Sequence, residues 1–260
     1  MEIRISTVTR PFGIVPPRVG RILALTATGV LLVFVAAEVY VGVTRMDWAT
    51  GPGNDYSIYM AGVHRWLAGG DFYLTRQLAG PYPIQVGDLL YPPTALYLFV
   101  PFAFLPAPLW WAVPIGLAAW LIRSWQPARW TWPLMAACLA WPFAPLQFIT
   151  GNPVLWITAA VAAGLRWGWP SALVLLKPSV FPFALVGVRR RSWWLTVAAL
   201  VLLTLPLVPM LPDWLHAVFD GRGWGGYLYS LRDIPLMLVP LVAWGGRTKP
   251  PPDEPTVERP

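Results

Sequence analysis

Asp55 is the first side chain whose type and position could do chemistry. It follows Gly51-Pro52-Gly53-Asn54 and opens a pattern of residues with helical spacing. A carboxylate there has two interpretations. It is either a first-turn residue favoured by the helix dipole, or a general base whose pKa is raised by partial burial. Spacing alone favours the structural role and leaves the catalytic role open.

Lys177 is the second such residue, because it lies in Leu175-Leu176-Lys177-Pro178 inside an otherwise uncharged apolar stretch. A charge in such a stretch is costly and marks a functional hypothesis. The ammonium has three candidate partners: the backbone carbonyl that Pro178 frees, the carboxylate of Glu38, or the phosphate of a lipid-linked ligand. The residue pattern does not choose among them.

The remaining polar candidates have ordinary explanations. The run Tyr91-Pro92-Pro93 is typical of an interfacial tyrosine followed by prolines that start a helix. His64 lies on a helix face that solvent would cover, and His216 is a loop residue unless the fold brings it to a site.

Metal-binding residues are scarce. Cys138 is the only cysteine and there are two histidines, so neither a thiolate nor a multi-histidine metal centre is expected. Sparse carboxylates argue against a metal cage made only by the protein. No cofactor is predicted, and the participation of a divalent metal stays open.

Composition indicates the elements that must position these residues. Of 260 residues, 57% are hydrophobic and 12% are charged, against roughly 25% charged residues in soluble domains. Residues 89–122, 130–165 and 192–212 contain no Asp, Glu, Lys or Arg, and a spanning helix needs about 20 apolar residues. The sequence therefore predicts an all-α, polytopic transmembrane bundle. It excludes a soluble enzyme, a disulfide-stapled secreted domain and a disordered chain.

The basic residues and tryptophans lie at the borders of the apolar runs. A net charge of +7 placed at such borders favours anchoring beside anionic membrane lipids over binding of nucleic acid. The seventeen tryptophans cluster at the same borders, which predicts an interfacial aromatic belt.

The front of the chain is predicted to be anchored with its N-terminus in the cytoplasm. Residues 1–20 carry arginines and precede an uncleaved membrane anchor at 22–43. Residues 44–91 then form an outer loop. Within this loop, apolar residues at helical spacing between Asn54 and Gly69-Gly70 predict a short amphipathic helix lying on the outer membrane surface.

One transmembrane domain is predicted for residues 21–246, with prolines dividing its apolar runs. This arrangement places Arg189-Arg190-Arg191 and a Pro-rich, disordered tail at 247–260 in the cytoplasm, and the multi-pass protein in the plasma membrane. The eight predicted spans are 22–43, 92–105, 107–122, two within 130–165, 168–187, 192–211 and 231–246.

Several short motifs occur in a fixed order over roughly residues 30–195. They are Asp55-Tyr56 with Tyr59, Gly69-Gly70-Asp71-Phe72-Tyr73, Tyr91-Pro92-Pro93 leading to Pro101, Leu105-Pro106 and Trp110-Trp111, then Gly151-Asn152-Pro153, and Leu176-Lys177-Pro178 followed by Arg189-Arg190-Arg191. This ordered set resembles the front half of glycosyltransferase family 87. These membrane enzymes of the GT-C type include polyprenol-phosphate-mannose-dependent mannosyltransferases.

The resemblance implies a GT-C helical bundle. It also implies transfer of a hexose, mannose first, from a polyprenyl-phosphate donor to a lipid or glycan acceptor on the extracytoplasmic side. Asp55 would then be the catalytic base, and Lys177, Arg65 and Arg232 would bind the donor phosphate. The residues that would shape the site are Tyr59, Tyr91, Asn152 and His216.

Two features depart from the family's pattern. The eight-span arrangement places Asn152 at the inner face, opposite Asp55, unless a hairpin is re-entrant or Asn152 is structural. The C-terminal part is expected to be shortened, with residues 212–230 in place of a longer region and His216 standing in for a family histidine. The alternative function is therefore that of a non-catalytic membrane protein, either a subunit with a partner or a lipid-carrier-binding or translocating protein.

Overall fold

The computed structural model describes residues 17–45, 51–223 and 231–248, where the chain is mostly helical. The helices are α1 (Pro17–Arg45), α2 (Asn54–Leu67), α3 (Thr75–Leu78), α4 (Leu96–Phe102), α5 (Pro108–Trp125), α6 (Thr131–Leu139), α7 (Phe143–Thr150), α8 (Val154–Trp167), α9 (Arg191–Thr204), α10 (Leu211–Phe219) and α11 (Ile234–Gly245). Two short strands, β1 (Tyr82–Pro83) and β2 (Gly221–Arg222), pair in parallel. Most of the predicted N-terminal segment and the tail from 249 lie outside the described residues.

Two helices are long and apolar enough to cross a membrane, which indicates a membrane protein. One is Arg18–Arg45, with 28 residues and a mean hydropathy of 2.3, and the other is Arg191–Phe219, with 29 residues and a mean hydropathy of 2.2. The second joins α9 to α10 through the 3₁₀ helix Leu205–Met210. α6 and α7, bent by 63°, would count as a third if they form one broken span. Eight spans are therefore not confirmed.

The segment predicted as a span at 92–105 contains only a short helix that packs on α2. α4 has 7 residues and ends just after Pro101, since proline interrupts helical hydrogen bonding. With the 3₁₀ turn Pro93–Ala95 that precedes it, the helical segment has 10 residues and extends about 15 Å, against a hydrocarbon core of about 30 Å. The Phe99 ring of α4 stacks on Tyr59 of α2, with ring centroids 4.9 Å apart. A span at 92–105 is therefore not confirmed, because this helical segment is shorter than a full crossing.

The segment predicted as a span at 168–187 is a hairpin of two 3₁₀ helices, Trp169–Leu176 and Pro178–Gly187. Lys177 separates them with a non-helical backbone, at φ −127° and ψ 80°, because the following proline disfavours helical geometry. A Cβ atom on Gly187 would lie only 2.1 Å from the carbonyl oxygen of Gly168. The two ends of the hairpin therefore meet, and Lys177 lies at its tip.

Helix α2 begins and ends close to the predicted positions, but its apolar face is buried in the protein. Gly53, in the left-handed region at φ 73°, precedes the helix in place of the predicted Asn54 cap. Tyr59, Met60 and Val63 on α2 are buried in a core that includes residues of α4. This face packs against protein and not against the membrane surface, because the loop after α2 and α4 cover it.

Contacts between helix ends gather many arginines at one end of the bundle. The start of α1 shares a cavity with Arg129, just before α6. Ala128 N–H donates to the carbonyl of Gly246 at the end of α11, over 2.8 Å. The Trp120 ring of α5 stacks on Trp167 at the end of α8. The arginines at this end are Arg18, Arg21, Arg123, Arg129, Arg166, Arg189, Arg190, Arg191 and Arg247.

The tryptophans divide between the core and the surface. Trp130 and Trp194 are exposed, as an interfacial belt requires. Trp110, Trp125 and Trp193 are buried and fill the core. The prediction of an aromatic belt was therefore wrong for these three, because position at the border of an apolar run does not reveal which helix face a side chain occupies.

Candidate active site

Asp55 lies in the first turn of α2 and is held by two neutral donors. Its Oδ2 accepts a hydrogen bond from Thr150 Oγ1 at 2.9 Å and another from Asn152 Nδ2 at 2.7 Å. Asn152 therefore lies beside Asp55, and its predicted place at the opposite face was wrong. The hydrogen bond between the two side chains requires the turn that carries Asn152 to lie on the same side of the protein as Asp55.

Burial raises the pKa of the Asp55 carboxyl above its ordinary value of 3.8. The two hydrogen bonds and the positive charge of Lys177 oppose this increase, whereas the negative charge of Asp233 adds to it. Asp55 is half-buried, and within the described part of the chain its Oδ1 accepts no hydrogen bond. The free oxygen is thus a proton acceptor of raised basicity.

The turn between α7 and α8 fixes the orientation of Asn152. Gly151 adopts the left-handed region at φ 71°, and the N–H groups of Gly151 and Asn152 both donate to the carbonyl of Gln147 at 3.1 Å. Asn152 Oδ1 accepts a hydrogen bond from Val154 N–H at 3.0 Å. With Oδ1 occupied by a donor, Nδ2 is the atom directed to Asp55.

Two adjacent tryptophans of α5 clamp this turn. Trp110 Nε1 donates to the Gly151 carbonyl at 2.6 Å, and Trp111 Nε1 donates to the Phe148 carbonyl at 2.8 Å. A Cβ atom on Gly151 would lie 2.4 Å from the Trp111 ring. Only glycine fits this position, since it permits both the positive φ and the close approach of the indole.

Lys177 forms a buried ion pair with Asp233. Lys177 Nζ lies 2.9 Å from Asp233 Oδ2, and the lysine is 2% exposed. Asp233 Oδ1 accepts a hydrogen bond from Gln147 Nε2 at 3.0 Å. Lys177 Nζ is also 5.7 Å from the centroid of the Tyr91 ring. Of the three partners considered for the lysine, Glu38 is not the one it contacts.

Helix α7 connects the ion pair to Asp55. Gln147 and Thr150 are three residues apart, so their side chains lie on one face of the helix. Gln147 contacts Asp233, and Thr150 contacts Asp55. One helical turn therefore separates the half-buried carboxylate from the buried ammonium–carboxylate pair, and both charges of that pair act on Asp55.

An apolar cavity of about 260 Å³ opens beside Lys177. Tyr91 and Ser179 supply most of its other polar groups, and Trp214 and Phe219 supply aromatic surface. Asp55 does not line this cavity. The cation and the apolar space are therefore adjacent, and Asp55 is connected to them through helix α7.

The other predicted site residues divide into two groups. Tyr59 is buried and meets Tyr91 edge-on, with centroids 5.3 Å apart, so it supports the tyrosine near Lys177. Arg232 is exposed and adjoins Asp233 in sequence, and its guanidinium lies 5.1 Å from the centroid of a phenylalanine ring. These residues surround the site.

Arg65 and His216 are occupied elsewhere. Arg65 lies ten residues after Asp55 on α2, about 15 Å along the axis, and donates to the backbone carbonyls of Asp71 and Phe72. The His216 ring is largely exposed and pairs with Asp220 at 3.1 Å. The structure does not bring either of them to Asp55.

Sequence reasoning missed three residues of the site: Asp233, Gln147 and Thr150. Asp233 could have been predicted from the sequence, because a buried lysine requires a carboxylate partner and few carboxylates border the apolar runs. Gln147 gave no signal in the sequence.

Neither a metal-binding cluster in the described part of the chain nor a match to a known protein identifies the chemistry. Among the described residues, no group of three or more His, Cys, Asp or Glu side chains could hold a metal ion. No family model matches the chain, and no curated protein or solved structure matches it either.

Proposed function

We propose that the protein is an integral-membrane glycosyltransferase that moves a hexose, mannose first, from a polyprenyl-phosphate carrier to an acceptor hydroxyl. The observation that carries this proposal is the Asp55 carboxylate, whose pKa burial raises and whose Oδ2 is held by Thr150 and Asn152. A carboxylate with one oxygen fixed and the other free has the properties of a positioned general base.

In the proposed reaction, Asp55 takes the proton of the acceptor hydroxyl as that oxygen attacks the anomeric carbon. The new glycosidic C–O bond forms while the bond from the anomeric carbon to the phosphate oxygen breaks, and configuration inverts. Lys177 lines the apolar cavity and supplies positive charge toward the leaving polyprenyl phosphate. The cavity's apolar walls suit the first isoprene units of the carrier.

The topology proposed with this site has six crossings. The crossings are α1, α5, α6 with α7, α8, α9 with α10, and α11, and the hairpin at 168–187 is re-entrant. α8 and α11 are shorter than a full span, but most residues of α8 and one face of α11 are buried within the bundle. Irregular backbone at membrane depth is tolerated where protein surrounds it.

This topology places the arginine-rich end of the bundle in the cytoplasm, as the positive-inside rule prefers. Arg123, Arg129 and Arg166, which the eight-span arrangement put outside, then face the cytoplasm with the others. Asp55 lies on the extracytoplasmic side of the plasma membrane, where polyprenyl-phosphate donor and lipid or glycan acceptor would meet.

The test is transfer from radiolabelled polyprenyl-phosphate mannose in membranes that contain the protein. Asp55→Asn should abolish incorporation of label into lipid or glycan product. Asp71→Asn is the matched control, because it makes the same change at an exposed carboxylate after the same helix, and it should transfer at the wild-type rate. Equal activity of Asp55→Asn and wild type would remove Asp55 from the mechanism.

The second candidate function is a non-catalytic membrane subunit or lipid-carrier-binding protein, and one observation favours it. Lys177 forms a buried ion pair with Asp233, as a purely structural lysine would. That function predicts binding of polyprenyl phosphate without transfer from any polyprenyl-phosphate sugar, which the same membranes would reveal.

A further inference from the structure

A cavity at the start of α1 collects three arginines that lack anionic partners. Within the described part of the chain, the guanidinium groups of Arg18, Arg21 and Arg129 form no ion pair or hydrogen bond. The cavity has a volume of about 560 Å³. Its lining residues are Arg18, Gly20, Arg21, Ala24, Arg129 and Trp130. Three like charges around one cavity repel each other unless an anion lies between them.

A second cavity, of about 670 Å³, adjoins the first and shares Arg129 with it. It runs along α1 between α5 and α6, and its walls are mostly apolar. The apolar side chains that define it include Leu32, Ile122, Met135, Leu139 and Val239. Apart from Thr28, the described residues of α1 are exposed or partly exposed, so the groove opens toward the surroundings of α1.

We propose that the two cavities form one binding site for an anionic phospholipid. The headgroup phosphate lies among Arg18, Arg21 and Arg129, where guanidinium groups donate paired hydrogen bonds to phosphate oxygens. One acyl chain lies in the apolar groove along α1. The exposed Trp130 indole borders the cavity, at the depth where tryptophan meets lipid headgroups.

Charge and shape together select a lipid over a free anion. Free phosphate would use the arginines and leave the adjoining groove empty, whereas a phospholipid fills both cavities at once. Small residues, Gly20 and Ala24, line the first cavity on α1 and leave space for the headgroup. The site lies at the opposite end of the bundle from Asp55, so it is independent of the proposed transfer reaction.

The headgroup is tested by native mass spectrometry of the purified full chain with phosphatidylglycerol and with phosphatidylcholine. The wild type should retain one phosphatidylglycerol in preference to phosphatidylcholine. Arg21→Gln with Arg129→Gln should weaken this binding at least about tenfold, since two charge-assisted contacts are lost. Arg189→Gln with Arg191→Gln removes the same charge at the same end and should change binding less than about twofold.

The acyl chain is tested by filling the groove without changing charge. Ala119 lines the groove and is exposed, so Ala119→Phe should displace long-chain phosphatidylglycerol while the protein stays folded. Inorganic phosphate and dihexanoyl phosphatidylglycerol should compete poorly with the long-chain lipid.

Three results would overturn the proposal. The first is that the protein retains phosphatidylcholine as well as phosphatidylglycerol. The second is that the two double variants lose the same amount of phosphatidylglycerol binding. The third is that inorganic phosphate competes as well as long-chain phosphatidylglycerol does.

Discussion

The Lys177–Asp233 pair gives a prediction whose size follows from burial. Lys177→Met removes the ammonium and leaves the Asp233 carboxylate, which is 7% exposed and still accepts the hydrogen bond from Gln147. Removing one partner of a buried ion pair costs about 3–5 kcal/mol, because an uncompensated charge stays buried. For a chain of this size each kcal/mol shifts Tm by about 2–4 °C. The single variant should therefore unfold roughly 6–20 °C below the wild type.

Removing both charges should restore most of this loss. Lys177→Met with Asp233→Asn eliminates the buried charge and keeps an amide oxygen to accept the hydrogen bond from Gln147 Nε2. Replacement of both partners of a buried pair is often close to neutral in stability. The double variant should therefore recover at least half of the decrease in Tm.

The assay is thermal unfolding of wild type, both single variants and the double variant, purified in one detergent. Transfer from polyprenyl-phosphate mannose is measured on the same samples. The stable double variant should transfer poorly, because it lacks the cation proposed to face the leaving phosphate. A single variant as stable as wild type, or a double variant as unstable as Lys177→Met, would refute the reasoning about burial. A double variant with wild-type transfer would make Lys177 purely structural.

Three further predictions concern the carboxylate, the turn and the topology. Burial raises the pKa of Asp55, so the folded chain binds the carboxyl proton more tightly than the unfolded chain does. The contribution of Asp55 to the free energy of unfolding therefore falls as pH rises above 3.8, the ordinary pKa of the group. Asp55→Asn should therefore keep or slightly raise Tm at neutral pH, and a Tm several degrees below that of the wild type would contradict this. Transfer by the wild type should decline in acid with an apparent pKa above 3.8. Gly151→Ala should lower Tm by several degrees, because the backbone is at φ 71° and the new Cβ would lie 2.4 Å from the Trp111 ring. Gly29→Ala is the control and should leave Tm unchanged, because its Cβ would meet nothing within 4 Å. Gln126→Cys in a Cys138→Ser background should be labelled by a membrane-impermeant maleimide only from the cytoplasmic side, and labelling from outside would restore the eight-span arrangement.

The sequence predicted those features that depend on neighbouring residues. Helix α2 runs over Asn54–Leu67, as its spacing and flanking glycines indicated. Lys177 and Asp55 were selected because charge is rare in this chain, and the structure places both in one region. Local chemistry was sufficient for these residues, since composition and spacing act over a few positions.

The segments that were mispredicted depend on packing between distant parts of the chain. Residues 168–187 are apolar enough for a span, but Lys177-Pro178 and the contact of Gly168 with Gly187 make a hairpin. Hydropathy does not distinguish a crossing helix from a buried hairpin of equal length. The same limit explains why 92–105 was counted as a crossing.

The composition of the site beyond Asp55 and Lys177 also depends on the fold. Asp233 lies 56 residues after Lys177, and Thr150 lies 95 residues after Asp55. Pairings over such separations cannot be read from spacing. Only the rule that a buried charge needs a partner could have suggested Asp233.

The central claim is that Asp55 acts as the base in glycosyl transfer. The most direct measurement is the rate of label transfer by purified protein in liposomes that contain polyprenyl-phosphate mannose and an acceptor lipid. Wild type and Asp55→Asn are compared at the same protein amount and the same folded fraction. We expect transfer by the wild type and a decrease of about 10²–10⁴-fold in the variant. Equal rates would contradict the role of Asp55, and no transfer by the wild type from any polyprenyl-phosphate hexose would contradict the proposed function.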